Sequence, residues 1–185
     1  MKTALVFPGQ GSQAIGMGKD LAEKYLDQAS VIREVCAEIG NVWPANFNSP
    51  GQVVISGKKA AVDAAGIKLK ERGAKKIIPL AVSAPFHCPL MQPAADKLRV
   101  ELDKIEIKDA QVPVVANVTA DYVTKGSEIR ELLYKQVTSP VLWEESVRKM
   151  ASDGITSFIE VGPGKVLSGL IKKIAPEADV NTYPA

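Results

Sequence analysis

The chain contains a single histidine, His87, and imidazole is the side chain best suited to moving a proton near neutral pH. It lies in Pro85-Phe86-His87-Cys88-Pro89, between two prolines that fix their own φ and restrict the residue before each. A base on a stiff loop suits general acid–base chemistry. The bland alternative is a structural histidine satisfied by hydrogen bonds. The turn Pro8-Gly9-Gln10-Gly11-Ser12-Gln13 is a second chemical element. Gly9 and Gly11 let the backbone turn sharply and leave amide N–H groups free at a helix start. Such donors bind an anion or stabilise an oxyanion, although many strand-turn-helix junctions carry glycines for packing alone. The turn is neither a phosphate-binding loop nor a dinucleotide fingerprint, because Asp20 follows Gly18-Lys19 and Ala14 stands three residues after Gly11. Nucleophiles near His87 are scarce. Cys88 is its neighbour, so its side chain points away, and it reads as a small buried hydrophobe. Ser83 reaches the imidazole only if the loop folds back, and Ser12 reads as a helix cap. Cys36 and Cys88 show no metal spacing, and one histidine supplies a zinc site poorly.

The elements that must hold these groups follow from periodicity and punctuation. The apolar run 77–82 reads as a buried strand that Pro85 stops. A helix follows to about residue 107, with Leu90, Ala94, Ala95, Leu98, Leu102 and Ile105 on one face. His87 is thus expected on a strand-to-helix corner, where α/β folds often place their chemistry. Upstream, 4–7 reads as a strand, 12–25 as a helix and 26–39 as a second helix, with no clear break between the two helices. Stretches 42–47 and 52–56 read as strands around the hairpin turn Asn48-Ser49-Pro50-Gly51. Residues 58–72 read as a helix ended by Gly73, and 75–82 as the strand leading to His87. From 27 to 83 the order α-β-β-α-β is a ferredoxin-like split βαβ unit lacking its first strand. Downstream come a strand at 112–118, helices at 128–137 and 142–152, a strand at 157–161, the turn Gly162-Pro163-Gly164, a helix at 165–174 and an edge strand at 179–183.

Bulk properties narrow the function classes. A length of 185 residues fits one domain, or one domain with a small insert. Lys plus Arg at 23 against Asp plus Glu at 21 argues against a nucleic-acid surface, as the basic residues are scattered. With 5% aromatic residues, base-stacking platforms are also not expected. Pro8-Gly9 ends the N-terminal apolar run too early for a signal peptide. No stretch approaches the length of a membrane span. The chain therefore reads as cytoplasmic, with free thiols.

Six stretches in order resemble the malonyl-CoA:acyl-carrier-protein transacylase family, the acyltransferases that load fatty-acid and polyketide synthesis. They are Phe7-Pro8-Gly9-Gln10-Gly11-Ser12-Gln13, Asn46-Phe47-Asn48-Ser49-Pro50-Gly51-Gln52, Pro85-Phe86-His87-Cys88, Pro113-Val114-Val115-Ala116-Asn117-Val118, Gln136 with Pro140 and Trp143, and Glu160-Val161-Gly162-Pro163-Gly164. The resemblance implies an α/β fold. A shortened hydrolase-like parallel-sheet portion would comprise 1–26 and 84–185, and an incomplete ferredoxin-like subdomain would be inserted at 27–83. It implies transfer of a malonyl group from CoA to acyl carrier protein, with the CoA thioester as substrate and no bound cofactor. His87 would be the general base and Gln136 the residue that holds its working tautomer. Gln10 and Gly11 would form one side of the oxyanion hole. Asn46 and Asn48 would line the acyl or pantetheine region, where the competing reading is turn chemistry around Pro50-Gly51. Gln10, His87 and Gln136 are expected to converge on one crevice.

The resemblance also exposes a gap. The family's nucleophile is a serine in G-H-S-x-G, on a strained elbow backed by amide N–H groups, and an arginine in the following helix pairs with the malonyl carboxylate. No G-x-S-x-G occurs in this chain. In the family that motif, the arginine helix and the first strand of the small subdomain all lie between the segments matching 12–25 and 26–39. One contiguous internal deletion accounts for every missing part. The chain is then expected to be inactive as a transferase. The alternatives are a non-catalytic remnant or engineered deletion that keeps contact with CoA or carrier protein, and a slow histidine-dependent thioesterase.

Overall fold

The first strand, β1 (Lys2–Val6), pairs in parallel with β6 (Ile155–Val161), setting Leu5 against Ile159 and Val6 against Glu160. Parallel β7 (Asp179–Tyr183) follows on the other side of β6, so the order is β1-β6-β7. The computed structural model describes residues 2–8, 28–80, 82 and 84–183. Two helices cover one face of this sheet, α5 (Trp143–Ser152) and α6 (Val166–Ile174). Val147 and Met150 of α5 and Leu167, Leu170, Ile171 and Ile174 of α6 pack with Val6 and Phe158 in one core. Their spacing of three and four residues gives each helix a single apolar face.

A second core lies under a β-hairpin. Strands β2 (Val42–Ser49) and β3 (Gln52–Gly57) are antiparallel and joined by Pro50-Gly51. Gly51 takes φ +75°, and the preceding proline presets the other corner of such a turn. Helices α1 (Gln28–Ile39) and α2 (Lys59–Glu71) pack on the hairpin through Val35, Cys36, Val42, Ala65 and Leu69. The remaining elements are a 3₁₀ turn (Pro89–Met91), α3 (Gln92–Leu102), β4 (Val114–Ala116), β5 (Asp121–Val123) and α4 (Gly126–Gln136). Among the described residues, no helix is long and apolar enough to cross a membrane.

Three expectations are corrected. Residues 75–80 and 82 form no strand and pair with no described strand. Ile77, Ile78, Leu80 and Val82 are exposed. Their composition satisfies the strand pattern, but a strand also needs an adjacent edge to hydrogen-bond, and among the described residues none pairs with this segment. The segment 112–118 contributes only Val114–Ala116, and it pairs antiparallel with β5 instead of joining β6. The strand expected at 112–118 is therefore not part of the parallel sheet that holds 157–161. The chain reverses at 117–120, where Ala120 adopts φ +54° and donates to the Ala116 carbonyl at 2.8 Å. This local return claims the ladder that a distant strand would need. Finally, the helix after His87 ends at Leu102, five residues before the expected stop. The Asp103 N–H bonds back to the Arg99 carbonyl, and Ile105 remains exposed.

Candidate active site

His87 stands just before the 3₁₀ turn that leads into α3, with φ +58°. A non-glycine residue in the left-handed region is uncommon, and histidine is among the types enriched there. Pro85 and Pro89 flank it. Cys88, fully buried, donates its thiol to the Pro85 carbonyl at 3.1 Å and closes the corner from inside.

The imidazole Nδ1 lies 3.1 Å from the main-chain oxygen of Gln136. A carbonyl only accepts, so this bond places the proton on Nδ1 and leaves the Nε2 lone pair as the base. Helices α3 and α4 hold the two partners in register. Arg99 of α3 makes two hydrogen bonds to the Glu131 carboxylate of α4, and its guanidinium lies 4.4 Å from the Tyr134 ring centroid. The Gln92 amide donates to the Tyr134 hydroxyl at 2.9 Å. Hydrogen bonding from Arg99 holds the Glu131 carboxyl below its ordinary range.

Gln136 begins a stretch whose main chain joins three parts of the molecule. Its side-chain amide donates to the Ser139 carbonyl at 2.9 Å and the Pro140 carbonyl at 3.3 Å. Val141 exchanges bonds with β2, donating to the Ala45 carbonyl at 2.8 Å and accepting from the Phe47 N–H at 2.9 Å. The Leu142 N–H reaches the Asn117 carbonyl at 2.8 Å. Asn46, which bridges Val141, therefore stands five residues along this stretch from the carbonyl that holds His87. Asn46 and Asn48 are half-buried and alternate with buried Phe47 and Ser49, so both lie on the strand face turned away from Phe47. Gln10, Gly11, Ser12 and Ser83 lie outside the described residues, and with them one corner of the expected Gln10–His87–Gln136 crevice.

At the C-terminal edge of the parallel sheet, the turn after β6 abuts the end of β1. Gly162 has φ +137°, and a Cβ there would sit 3.2 Å from Pro8 Cγ. Glu160, fully buried, anchors this edge. It accepts from the Leu167 N–H at 3.2 Å, the Ser168 N–H at 2.8 Å and the Ser168 hydroxyl at 2.6 Å. A carboxylate thus satisfies the orphan donors at the start of α6. Sequence reasoning did not single out this role, nor the part played by the carbonyls of 136–142. A charged residue between Ile159 and Val161 was the one available signal for the first. Burial pushes the Cys36 thiol up to about 11, which keeps it protonated and unreactive near neutral pH. No group of three or more His, Cys, Asp or Glu side chains among the described residues is placed to hold a metal.

A base oriented through Nδ1 on a stiff corner is an arrangement for acyl transfer or hydrolysis. Comparison with known proteins points the same way. The chain is 49% identical over 167 residues to the malonyl CoA-acyl carrier protein transacylase of Bacillus subtilis, covering 90% of this chain and 51% of that protein. It is similar to the crystal structure of an acyl carrier protein S-malonyltransferase from Vibrio cholerae, with a TM-score of 0.82 and 45% identity over 84% of this chain and 52% of that one. It is also similar, at a TM-score of 0.79 and 45% identity over 84% of this chain and 51% of that one, to a malonyl-transacylase solved in complex with its holo type II polyketide acyl carrier protein. The chain spans about half the length of the curated relatives it matches. The family model described as "Acyl transferase domain" matches residues 25–183, and with a mixed α/β architecture built on a parallel sheet, the chain belongs to that acyltransferase family.

Proposed function

We propose that this chain carries the base side of an acyltransferase site whose parent reaction moves a malonyl group from CoA to acyl carrier protein in fatty-acid biosynthesis, and that the chain as it stands lacks the nucleophile for that reaction. The observation that carries this reading is the His87 Nδ1 to Gln136 carbonyl bond at 3.1 Å, on a residue held at φ +58°. Strained backbone persists where its surroundings over-determine it, which is common at sites of chemistry. His87 serves as the general base and Gln136 as the residue that fixes its tautomer. Gln10 and the Gly11 amide supply oxyanion donors, and Asn46 and Asn48 contact the acyl or pantetheine chain. The substrate is a CoA thioester, the second partner is acyl carrier protein, and acyl exchange between oxygen and sulfur needs no cofactor. The names of the relatives support both partners. The hairpin with α1 and α2, which has its own core, supports a small ferredoxin-like subdomain at 27–83 set into a hydrolase-like portion at 1–26 and 84–185.

A second reading, slow thioester hydrolysis, is favoured by the lone pair left on Nε2. Water approaches the thioester carbonyl carbon while Nε2 takes its proton. The C–S bond then breaks, and the departing thiolate recovers that proton as the thiol. Without an elbow serine, acceleration is limited to oxyanion donors and binding, at most about 10³–10⁴-fold over water in serine hydrolases, and poor alignment lowers it further.

Incubation with radiolabelled malonyl-CoA tests both readings. The expected result is no acid-stable label on the protein and a slow release of malonate that His87→Ala removes. Stoichiometric label that disappears in Ser12→Ala or Ser83→Ala would overturn the absence of a nucleophile. Malonate release unchanged in His87→Ala would overturn the role of the histidine.

A further inference from the structure

Arg33 differs from the other arginines. Arg72 pairs with Glu34, Arg99 with Glu131, Arg130 with Asp103 and Arg148 with Glu144. Among the described residues, Arg33 meets no carboxylate. Its guanidinium instead lies 4.6 Å from the Phe47 ring centroid, a stacking contact that steadies the planar fork while leaving its N–H donors uncommitted. Beside it opens a pocket of about 280 Å³, walled by Trp43, Pro44, Pro89 and Pro140 and edged by Thr138. Three prolines make the wall rigid. Ser139 and Pro140, which line the pocket, are tied through their carbonyls to the Gln136 side chain. An indole, a proline wall, a hydroxyl and one unpaired guanidinium form an apolar slot with a single anion-binding fork.

We infer that this pocket is a binding site for a small phosphate monoester with a flat apolar body, distinct from the base carried by His87. The ring lies against Trp43 and the prolines. The phosphate oxygens take the Arg33 donors in bidentate fashion, and the Thr138 hydroxyl, which donates to the Lys135 carbonyl at 3.4 Å, turns from that long bond to the phosphate as a further donor. The inference does not depend on the acyltransferase reading, because neither His87 nor a nucleophile takes part.

Phenyl phosphate is the probe, and the Trp43 indole N–H resonance is the readout. The chain has two tryptophans, so the resonance missing in Trp43→Phe identifies it. For a ligand of this size, saturation at about millimolar concentration is expected. Inorganic phosphate, with charge but no ring, and benzyl alcohol, with ring but no charge, are each expected to bind about tenfold or more weaker. Arg33→Gln should weaken phenyl phosphate about tenfold, and Arg33→Lys, which keeps the charge and loses the fork, should fall between it and the parent protein. Three results would overturn the inference: no saturable shift of the Trp43 signal, equal binding of benzyl alcohol, or unchanged binding in Arg33→Gln.

Discussion

Glu160 has both carboxylate oxygens occupied and no exposed surface. Buried carboxylates are rare unless fully partnered, and here the partners are the first-turn donors of α6. Glu160→Ala strands two amide N–H groups and a hydroxyl in the interior, at a cost of about 3 kcal/mol. Glu160→Gln keeps one oxygen but turns an NH₂ group toward a donor, and should cost about half as much. Urea unfolding at constant m-value measures both. An alanine variant within about 0.5 kcal/mol of the parent protein would show that the clamp contributes nothing. At this scale His87 stood out by its type and flanking prolines, whereas Gln136 was named only through the family resemblance. The atom of Gln136 that meets His87 is a backbone oxygen, and every residue has one.

Among the elements, the two helical glycines to compare are Gly169 and Gly126. Gly169 lies on the exposed side of α6, with nothing within 4 Å of an added Cβ. Gly169→Ala should therefore stabilise by about 0.5–1 kcal/mol through the helix preference of alanine. Gly126 opens α4, where an added Cβ would fall 1.9 Å from the Ile107 carbonyl oxygen. Gly126→Ala must push α4 away from residues 107–108 and should lower stability by more than 1 kcal/mol. Opposite shifts of the thermal midpoint check the pair. If Gly126→Ala also stabilised, the close approach at the start of α4 would be refuted. Helices α1, α2, α5 and α6, the Pro50-Gly51 hairpin and the glycine stops were readable from local pattern, while the helix expected at 12–25 lies outside the described residues. Strand β5 was not, because its turn at 117–120 contains neither glycine nor proline.

Across the whole molecule, one group of exposed apolar residues belongs to the strand that does not form. Ile77, Ile78, Leu80 and Val82 are open to solvent, as are Leu5 and Phe7 at the end of β1. Apolar exposure on this scale promotes association. The chain is expected to bind the dye ANS in its native state and to scatter light increasingly with concentration. Ile78→Lys with Leu80→Lys should reduce both signals and leave the unfolding midpoint nearly unchanged. A double variant that unfolds readily would show that these side chains are buried in solution.

The sequence by itself determined what is written within a few residues: α1, α2, α5 and α6 from their apolar faces, the Pro50-Gly51 hairpin, strands β6 and β7, the stiff corner at His87, and the kinship carried by six motifs in order. Tertiary structure decided which apolar runs became strands and which polar atoms met. Residues 75–82 and 112–118 carry equally good strand patterns, yet one pairs with no described strand and the other turns back on its own neighbour. A β-ladder needs a partner edge, and local pattern does not say whether that edge is available. The support of His87 depends on a main-chain oxygen 49 residues away, and the burial of Glu160 on the turn that brings the start of α6 back over the end of β6. Backbone carbonyls and amides are alike at every position, so only the fold could select the ones that act.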